Sequence, residues 1–363
     1  MRVLWFNHRD PLHPQAGGAE VRIYEIGRRL VQSGHSISLV CERWASSKST
    51  DFLDGIKIFR VAGRLGLHLK VPFMLNALND CDIIVDDVAH AVPWFSPLFT
   101  RKPVICQVHH VHQEVLDIEL SAFLARLISL GERSLRHIYR AFIVVSASTK
   151  LDLINRLGVS RETIKVITNG VDSEFYRPIR KSSEPTLLCV GRLKKYKRVD
   201  HILRAFRLVK RSLPNAKLFV VGDGDHLEIL KSFCERMRLP NVVFTGRVSE
   251  KEKVRLMAMS WGIVSASLIE GWGMSIVEGA ACATPAVAYD VAGLRDSIQH
   301  NRTGLLVEDG NVTALADALF SILRDDAFRH RLGSNALQYA KRFSWKESAD
   351  RFMKVLELEA HGR

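Results

Sequence analysis

Short apolar segments with strand character alternate with stretches of helical periodicity along this chain, and the alternation starts again halfway. In the first half, segments of this kind lie at 2–7, 36–41, 56–61, 82–85, 103–108 and 141–145, with helical spacing over 19–33. The second half repeats the pattern, with predicted strands at 186–190, 217–221, 241–244, 262–264 and 285–288 and a helix from Val199. Apolar strands interleaved with helices are typical of parallel sheets covered on both faces, so we predict an α/β fold with two Rossmann-like, doubly wound sheets.

The point where the pattern restarts predicts a division into two domains, because 363 residues are more than a single core usually holds. The polar segment 176–185 contains two prolines and is interpreted as the linker. We expect one domain at 1–178, to which a C-terminal helix at about 346–363 crosses back, and a second domain at 179–345. Tandem domains of this class generally bind their ligand in the cleft between them.

The net charge of +13 favours an anionic partner, such as a nucleic acid, an anionic membrane or a phosphorylated substrate. Residues 1–178 contribute +4 and residues 179–363 contribute +9, so the excess lies mainly in the second half. The sequence has no basic stripe interleaved with aromatic residues and no nucleic-acid-binding module. We therefore expect no nucleic acid partner.

Cysteine usage and hydropathy argue against several cofactors and compartments. The six cysteines are scattered without a Cys-x-x-Cys pair, so we expect buried apolar residues rather than zinc ligands or disulfides. No segment has the length and apolarity of a membrane span, and the N-terminal segment becomes polar too early for a signal peptide. We expect a cytoplasmic protein without a metal or other cofactor.

Two predicted loops contain groups suited to phosphate. Gly17 and Gly18 follow the first strand, where their backbone N–H groups can approach a phosphate at a helix start, although a turn that relieves crowding is equally compatible. The loop 191–198 contains five cations. Arg192 is placed for a bidentate contact with a diphosphate and Lys197 for a point charge, with a solvated basic loop as the alternative.

Three histidines, His109, His110 and His112, follow the predicted strand at 103–108. A metal would require further Cys or acidic partners in a matching cluster, which the sequence lacks. A single histidine that lines the cleft is favoured, and we assign this role to His109 because it directly follows the strand. His110 and His112 are the alternatives, or are structural residues.

Glu270 and Glu278 flank the turn Gly271-Trp272-Gly273, between a predicted strand and a helix that begins at Met274. Glu270 is expected at the carboxyl end of the strand. The first N–H groups of the helix point into the same space, where the positive end of the helix dipole attracts an anionic or hydroxyl-rich ligand. Two solvated glutamates are the simpler interpretation, but the glycines interrupt any continuous surface helix. We interpret the segment as a sugar-binding site that Glu278 also faces.

A set of short motifs follows one another in a fixed order: 17–20, 169–172, 191–193 with Lys197, 222–224, 244–246, 270–278, 283–287 and 293–296. Together they resemble the family-4 retaining glycosyltransferases of the GT-B fold, and the resemblance covers essentially the whole chain. Two positions depart from the usual pattern. Trp272 stands where Phe is commoner and Met274 where Leu is commoner, so the sugar preference does not follow from relatives.

The resemblance implies a role for each candidate residue. The implied catalytic residues are Glu270, His109, Arg192 and Lys197. The implied donor-binding residues are Gly17, Gly18, Arg192, Lys197, Val248, Glu270, Gly271, Trp272, Gly273, Met274 and Glu278. Among these, Arg192 and Lys197 would hold the nucleotide diphosphate, Glu278 the ribose hydroxyls, and Glu270 the donor sugar, with His109 beside that sugar and Val248 near the base.

The implied reaction breaks the bond between an anomeric carbon and a diphosphate, which places negative charge on the leaving oxygen. Arg192, Lys197 and helix N-termini are expected to stabilise this charge in place of a metal ion. Asp86 and Asp87 follow a predicted strand and are interpreted as a surface turn rather than a metal site. For retention, the resemblance implies front-face attack without a protein nucleophile.

Acceptor binding is expected in the first domain, at two basic and apolar segments. Segment 60–74 includes Arg60, Arg64 and Leu65, and segment 122–140 places arginines opposite a leucine-rich face. We interpret both as a surface for an anionic bilayer that carries a lipid-linked acceptor. The alternative is an amphipathic core helix and a loose surface loop.

The sequence thus predicts a hexosyltransferase-type enzyme that moves a sugar from a nucleotide-diphosphate-sugar donor to a glycan or lipid-linked acceptor, in cell-envelope or exopolysaccharide biosynthesis. It would be cytoplasmic or peripheral on the inner face of the membrane. A phosphorylase or nucleotide-sugar epimerase on the same fold is one alternative. A non-catalytic protein that binds nucleotide sugars or polyanions is another. The donor base and sugar, the acceptor and linkage, and the oligomeric state stay open.

Overall fold

The computed structural model describes residues 1–362, except the side chains of Arg64 and Leu65, and it divides into two compact units. Unit 1 comprises Met1–Gly170 and the chain from Trp345 onward, and unit 2 comprises Val171–Ser344. The division therefore precedes the boundary expected after residue 178. The interpretation of 176–185 as a linker is wrong, because this segment belongs to unit 2.

The strands of both units are short, as the apolar segments predict. In chain order they are β1 (Arg2–Phe6), β2 (Ser36–Glu42), β3 (Thr50–Leu53), β4 (Ile56–Ala62), β5 (Ile83–Val88), β6 (Val104–Val108), β7 (Ala141–Val144), β8 (Ile164–Val166), β9 (Thr186–Val190), β10 (Lys217–Val221), β11 (Val242–Gly246), β12 (Gly262–Ser265), β13 (Ala286–Tyr289) and β14 (Gly304–Val307). The sequence did not predict β3, β8 and β14.

The helices connect these strands and cover the sheets. In chain order they are α1 (Gly18–Gln32), α2 (Arg64–Ala77), α3 (Gln113–Glu119), α4 (Ala122–Arg133), α5 (Leu135–Ile138), α6 (Ala147–Leu157), α7 (Val199–Ser212), α8 (Leu227–Arg236), α9 (Glu250–Met259), α10 (Met274–Ala281), α11 (Leu294–Ser297), α12 (Val312–Arg324), α13 (Asp326–Ala340) and α14 (Trp345–His361).

Unit 1 contains a sheet with the strand order β3-β4-β2-β1-β5-β6-β7-β8. Its strands pair in parallel, apart from the antiparallel pair β3 and β4. The central strand β1 is buried from Val3 to Phe6, which explains why its sequence is apolar on both faces. Two core clusters lie along the same face of this sheet, one around Phe6 and Trp94 and another around Phe142 and Leu153, and Val104 packs against both.

The C-terminal helix α14 belongs to unit 1, as predicted. The Phe352 ring stacks on Trp5 of β1 with 5.1 Å between centroids. The Ser348 hydroxyl donates a hydrogen bond of 2.8 Å to the carbonyl of Thr168, near the end of the first part of the unit. Burial of the apolar face of α14 against β1 and α1 therefore completes a core that residues 1–170 begin.

The interpretation of Asp86 and Asp87 as a surface turn is wrong. Both residues lie within β5 and are fully buried. The Asp86 carboxylate accepts hydrogen bonds from the Ser96 hydroxyl (2.7 Å) and the Tyr139 hydroxyl (2.6 Å). Buried carboxylates persist when such donors replace the lost water, and the Tyr139 donor comes from a distant part of the sequence.

The two segments that were interpreted as membrane-facing differ in structure. Segment 60–74 is not a loose loop, since most of it forms α2. Arg60 precedes that helix and is buried, with its guanidinium paired to Asp10, so it cannot contact a bilayer. The prediction also included Arg64 and Leu65, whose side chains are not among those that the structure describes. The region 122–140 forms α4 and α5, with a break at Ser134.

Unit 2 contains a parallel sheet with the strand order β11-β10-β9-β12-β13-β14. Helix α7 illustrates how the sequence covers this sheet. It begins at Val199, as predicted, and its buried residues recur at helical spacing: Val199, Ile202, Leu203, Ala205, Phe206 and Val209. A helix with one such stripe must bury it, which fixes α7 against the sheet.

The structure also bears on two further expectations, that the cysteines are buried apolar residues and that no segment spans a membrane. All six cysteines are free and buried, which confirms their prediction as apolar core residues. Across the described part of the chain, every helix is too short or too polar to pass through a bilayer.

Candidate active site

The predicted site residues of unit 2 lie beside the two central strands of its sheet. From β9 the chain proceeds outward through β10 and β11, and it then returns to the other side of β9, where β12 begins a second outward series. The strand order therefore reverses between β9 and β12, which pair directly through Leu187 and Gly262. Ligands of open parallel sheets bind at such a reversal, beyond the carboxyl ends of the strands.

The loops that follow β9 and β12 are joined by backbone and side-chain contacts. The Leu268 N–H donates a 2.8 Å hydrogen bond to the Tyr196 carbonyl. The Lys197 ammonium nitrogen (Nζ) lies 2.5 Å from Oε1 of Glu270, and the Ser267 hydroxyl donates to the same oxygen at 2.7 Å. Residues separated by about seventy positions thus form one polar cluster.

A pocket between these loops is lined by three of the predicted residues, Arg192, Lys197 and Glu270, together with Gly191, Ser265 and Ser267. Burial lowers the pKa of Lys197, but the Glu270 carboxylate more than offsets this and raises it above the ordinary value. The nearby Arg192 charge acts in the opposite direction. Arg192 itself is exposed. The pocket therefore combines a charged lysine, its counterion and a guanidinium accessible to a ligand.

The motif Gly222-Asp223-Gly224 shapes the loop that contains Arg192. A Cβ atom at residue 222 would lie 1.9 Å from the Gly191 carbonyl oxygen, and one at residue 224 would lie 2.3 Å from the Leu193 carbonyl oxygen. The Leu193 N–H donates to the Asp223 carbonyl at 2.9 Å. The glycines are therefore required because two backbones meet there, and this contact holds the Arg192 loop in position.

Gly273 ends the turn after Glu270 and begins α10. It has φ of 71°, which favours glycine, and a Cβ there would lie 2.9 Å from the Ser297 hydroxyl. Gly293 packs even closer, since its Cβ would lie 2.1 Å from the Glu270 carbonyl oxygen. The N-terminus of α10 at Met274 is thus fixed beside Glu270, as the strand-turn-helix pattern predicts.

Trp272, which was predicted as a donor-binding residue, is buried in unit 2. Its ring contacts Phe343 edge-on, with 5.0 Å between centroids. Among the described residues no hydrogen-bond partner is found for its indole N–H. Its neighbour Gly271 lies in the same turn and is half-buried.

Glu278 lies on α10, apart from the pocket of Lys197 and Glu270, in a cluster of its own. Its Oε1 accepts hydrogen bonds from the Tyr176 hydroxyl (3.0 Å) and from the Lys253 ammonium (3.3 Å). Lys253 also pairs with Glu250 at 2.8 Å. Burial lowers the pKa of Lys253, but Glu278 and Glu250 together raise it above its ordinary value. Val248, predicted near the base, follows β11 and is half-buried.

Sequence reasoning missed three residues of these clusters. Ser267 lies three positions before Glu270 and contacts its carboxylate, so the spacing itself was a usable signal. Lys253 lies on the unpredicted helix α9. Tyr176 belongs to the segment that was interpreted as a linker, and burial together with the Glu278 charge raises the pKa of its hydroxyl. No local pattern reveals the last two contacts.

In unit 1, the loop after β1 leads into α1 as predicted. Gly17 is the residue before the helix, and its N–H donates to the Glu20 carboxylate at 2.6 Å. Glu20 is buried and also contacts Asn7. The first donor of this loop is thus already satisfied within the protein, and Gly18 begins the helix.

The three histidines after β6 have different surroundings. His109 is buried, and its Nε2 lies 2.8 Å from Oδ1 of Asp87. His112 contacts Glu132 through Nδ1 (3.2 Å) and the Ala89 carbonyl through Nε2 (3.2 Å). The His110 ring lies beside that of His112, with 4.1 Å between centroids and the ring planes tilted by 35°. The described residues contain no group of three or more His, Cys, Asp or Glu side chains arranged to hold a metal ion.

Comparison with known proteins identifies both units. The family model described as "Glycosyl transferases group 1" matches residues 172–339, and that described as "Glycosyltransferase Family 4" matches residues 16–175. The chain is 25% identical over 407 residues to D-inositol 3-phosphate glycosyltransferase of Nocardioides sp., which covers 96% of this chain and 87% of that protein.

Solved structures agree in fold. Sucrose-phosphate synthase of Thermosynechococcus elongatus has a TM-score of 0.84 at 20% identity, with 98% of each chain covered. HepE of Anabaena in complex with UDP-glucose has a TM-score of 0.75 at 21% identity, with 98% of this chain and 99% of that chain covered. These likenesses confirm the predicted fold class, a GT-B-type pair of Rossmann-like α/β units.

Proposed function

Because the chain belongs to glycosyltransferase family 4, with its two family models matching residues 16–175 and 172–339, we propose that it transfers a sugar from a nucleotide-diphosphate-sugar donor to a glycan or lipid-linked acceptor. We further propose that the reaction retains the anomeric configuration and proceeds without a metal ion. The observation that carries this proposal is the contact of Lys197 with Glu270, beside Arg192, at the reversal of the unit 2 sheet.

The diphosphate of the donor is proposed to bind Arg192 and Lys197. A guanidinium matches two phosphate oxygens at once, while an ammonium supplies a compact charge. In the proposed complex both meet the negative charge that develops as the bond to the anomeric carbon breaks, so they stabilise the leaving group. Glu270 is proposed to contact the donor sugar and to stabilise positive charge on its ring.

The ribose of the donor is proposed to bind Glu278. Carboxylate oxygens accept hydrogen bonds from vicinal hydroxyls, and the Tyr176 and Lys253 contacts hold this carboxylate in one orientation. His109 is proposed to act on a sugar hydroxyl. UDP-glucose is the first donor to test, since HepE is described in complex with it.

The pathway is proposed from relatives of the chain. Poly(glycerol-phosphate) alpha-glucosyltransferase of Bacillus subtilis is 28% identical over 196 residues, and Nocardioides D-inositol 3-phosphate glycosyltransferase matches over most of the chain. Their names describe acceptors that carry phosphate. This supports a phosphate-bearing acceptor, and we propose one of envelope or exopolysaccharide type.

A membrane-bound acceptor is supported by the exposed face of α4. Phe123 on this helix is 80% exposed, and Leu127 and Leu130 are exposed beside it. Arg126 and Arg133 are also exposed, whereas the acid of α4, Glu132, is buried against His112. Apolar side chains among cations fit an anionic lipid surface, into which the rings and leucines insert while the guanidiniums contact phosphates.

The transfer reaction is tested with a panel of nucleotide sugars, measured as thermal shift and as release of the nucleoside diphosphate. Arg192→Ala should weaken binding of the accepted nucleotide by about ten- to a hundredfold, because it removes a charge-assisted hydrogen bond. Glu270→Ala should reduce turnover by about a hundredfold. Lys195→Ala, which removes an exposed cation from the same loop, is the matched control and should change neither.

Two results would contradict the proposal. Binding without any turnover for every donor and acceptor would favour the non-catalytic alternative. Equal effects of Arg192→Ala and Lys195→Ala would show that the loop contributes only diffuse charge.

Membrane binding is tested by sedimentation with phosphatidylglycerol vesicles at low salt. Leu127→Asp should reduce the bound fraction strongly, because it places a carboxylate in an apolar, basic surface. Leu358→Asp, the same change at an exposed leucine of α14, should leave it unchanged. Failure of the unaltered protein to sediment with anionic vesicles would contradict the membrane proposal and leave the transferase proposal intact.

A further inference from the structure

His109 is connected to a chain of buried polar side chains that extends through the interior of unit 1. Its Nε2 contacts Oδ1 of Asp87 at 2.8 Å, and Oδ2 of Asp87 contacts the Gln107 amide nitrogen at 2.5 Å. The Gln107 amide oxygen in turn lies 3.0 Å from Nε of Arg22. Arg22 and Asp87 are fully buried.

The direction of each hydrogen bond in this chain follows from Arg22. A guanidinium only donates, so the oxygen of the Gln107 amide accepts and its nitrogen donates to Asp87. Burial lowers the pKa of Arg22 to about 10, and the charge of Asp87 opposes that shift. A charged guanidinium thus faces a carboxylate that accepts on both oxygens. The proton between Asp87 and His109 therefore lies on Nε2 of the imidazole.

We infer that Asp87 is a positioning residue that keeps the His109 proton on Nε2, so that Nδ1 is the ring atom that accepts a hydrogen bond from a substrate hydroxyl. The hydrogen bond of one ring nitrogen fixes the tautomer, and hence the role, of the other. This inference rests on the proposed function. It adds to that function the reacting atom of His109 and the residue that selects it.

The surroundings of Nδ1 agree with this role. Among the described residues no hydrogen-bond partner of His109 Nδ1 is found, and the atom is not enclosed. The His109 carbonyl accepts from the Thr149 hydroxyl at 3.0 Å, which holds the backbone behind the ring. His112 differs, because both of its ring nitrogens already have protein partners. Of these two histidines, His109 is therefore the one whose ring nitrogen can accept a hydrogen bond from a substrate.

The tautomer is measured directly by ¹⁵N NMR of the histidine rings in the full-length protein without ligand. In the unaltered protein, the His109 signals should be those of an Nε2–H imidazole. Asp87→Asn should reverse this, because the asparagine can turn its amide nitrogen toward Nε2 and its oxygen toward Gln107, so that the ring proton moves to Nδ1. An Nδ1–H tautomer in the unaltered protein would overturn the inference.

The functional atom is identified by a pair of substitutions at His109 itself. The amide group of asparagine lies close to the Nδ1 position of histidine, and that of glutamine lies close to Nε2. His109→Asn should retain about tenfold more kcat/KM than His109→Gln, because only asparagine presents an acceptor where Nδ1 lies. Equal activity, or greater activity of His109→Gln, would overturn the assignment of Nδ1.

The outcomes also separate this inference from the proposed function. Asp87→Asn should lower kcat/KM by about tenfold while nucleotide binding by unit 2 stays within about twofold of the unaltered protein. Failure of the unaltered protein to bind any of the nucleotides would contradict the proposed function. The NMR result would still report the contact between Asp87 and His109. An Asp87→Asn variant with the reversed tautomer and full activity would overturn the inference alone.

Discussion

Nζ of Lys197 lies 2.5 Å from Oε1 of Glu270, so the cation proposed to bind the diphosphate is already paired with the acid proposed to bind the sugar. Both side chains are mostly buried. A donor that enters this site brings its own negative charge to Lys197. The pair is therefore an internal competitor of the diphosphate, and it also keeps Lys197 charged before the donor binds.

Glu270→Gln should separate affinity from catalysis. It preserves the shape of the side chain but removes the charge that competes with phosphate, so UDP should bind about threefold more tightly or better. Turnover should still fall, because the carboxylate no longer stabilises the sugar. Lys197→Met should weaken UDP binding. Calorimetric titration of UDP into each variant measures the change in affinity. Weaker UDP binding by Glu270→Gln than by the unaltered protein would contradict the proposed competition between Glu270 and the diphosphate.

Trp272→Phe should leave stability within about 1 kcal/mol, since it removes a buried indole N–H without a partner at the cost of some packing. Trp272→Ala should cost about 3–5 kcal/mol, because the contact with Phe343 is lost as well. Urea unfolding measures both. A tenfold loss of donor affinity in the phenylalanine variant at unchanged stability would instead assign the indole a direct donor contact.

Arg60→Leu should destabilise the protein by about 3–5 kcal/mol, because it leaves the buried Asp10 carboxylate without its main partner. In the structure, Nε and Nη2 of Arg60 lie 2.8 and 3.1 Å from the two oxygens of Asp10. Replacing both residues by apolar ones should recover part of the loss, as a double-mutant cycle in urea would show. Lys70→Ala, at an exposed cation of α2, is the control and should cost little.

The sequence predicted the loops of unit 2 well because their signals are local. Gly191 ends the apolar run just before Arg192, and Gly271 and Gly273 follow Glu270. The strand ends and the helix start could therefore be placed from neighbouring residues alone. Since carboxyl ends of parallel strands share one edge of a sheet, the proximity of Lys197 and Glu270 followed from topology. Their direct contact did not, because it depends on how the two loops bond at Leu268.

The errors concern polar residues whose partners are far away in sequence. Asp86 and Arg60 look like surface residues until Tyr139 and Asp10 are placed beside them. The segment 176–185 has the composition of a linker, yet Tyr176 is buried through its contact with Glu278, about a hundred positions later. A buried polar group requires a hydrogen-bond partner. When that partner is distant in the sequence, no local sequence pattern indicates it.

Asp86 should give the stability of unit 1 a measurable pH dependence. Burial raises its pKa from 3.8 to about 6, although the Tyr139 and Ser96 hydrogen bonds oppose the shift. A carboxyl whose pKa is higher in the folded state contributes stability that is complete below pH 3.8 and is lost as the pH rises through 6. Between pH 5 and pH 7.5 this contribution should fall by about 1 kcal/mol.

Asp86→Asn isolates this term, because asparagine does not titrate. The free energy of unfolding in urea, measured for both proteins at pH 5 and pH 7.5, should show that the unaltered protein loses about 1 kcal/mol more than the variant on going to the higher pH. Other titrating groups cancel in this difference, since both proteins share them. A difference between the two proteins that stays constant with pH would mean that Asp86 keeps the same charge at both values, contrary to a raised pKa.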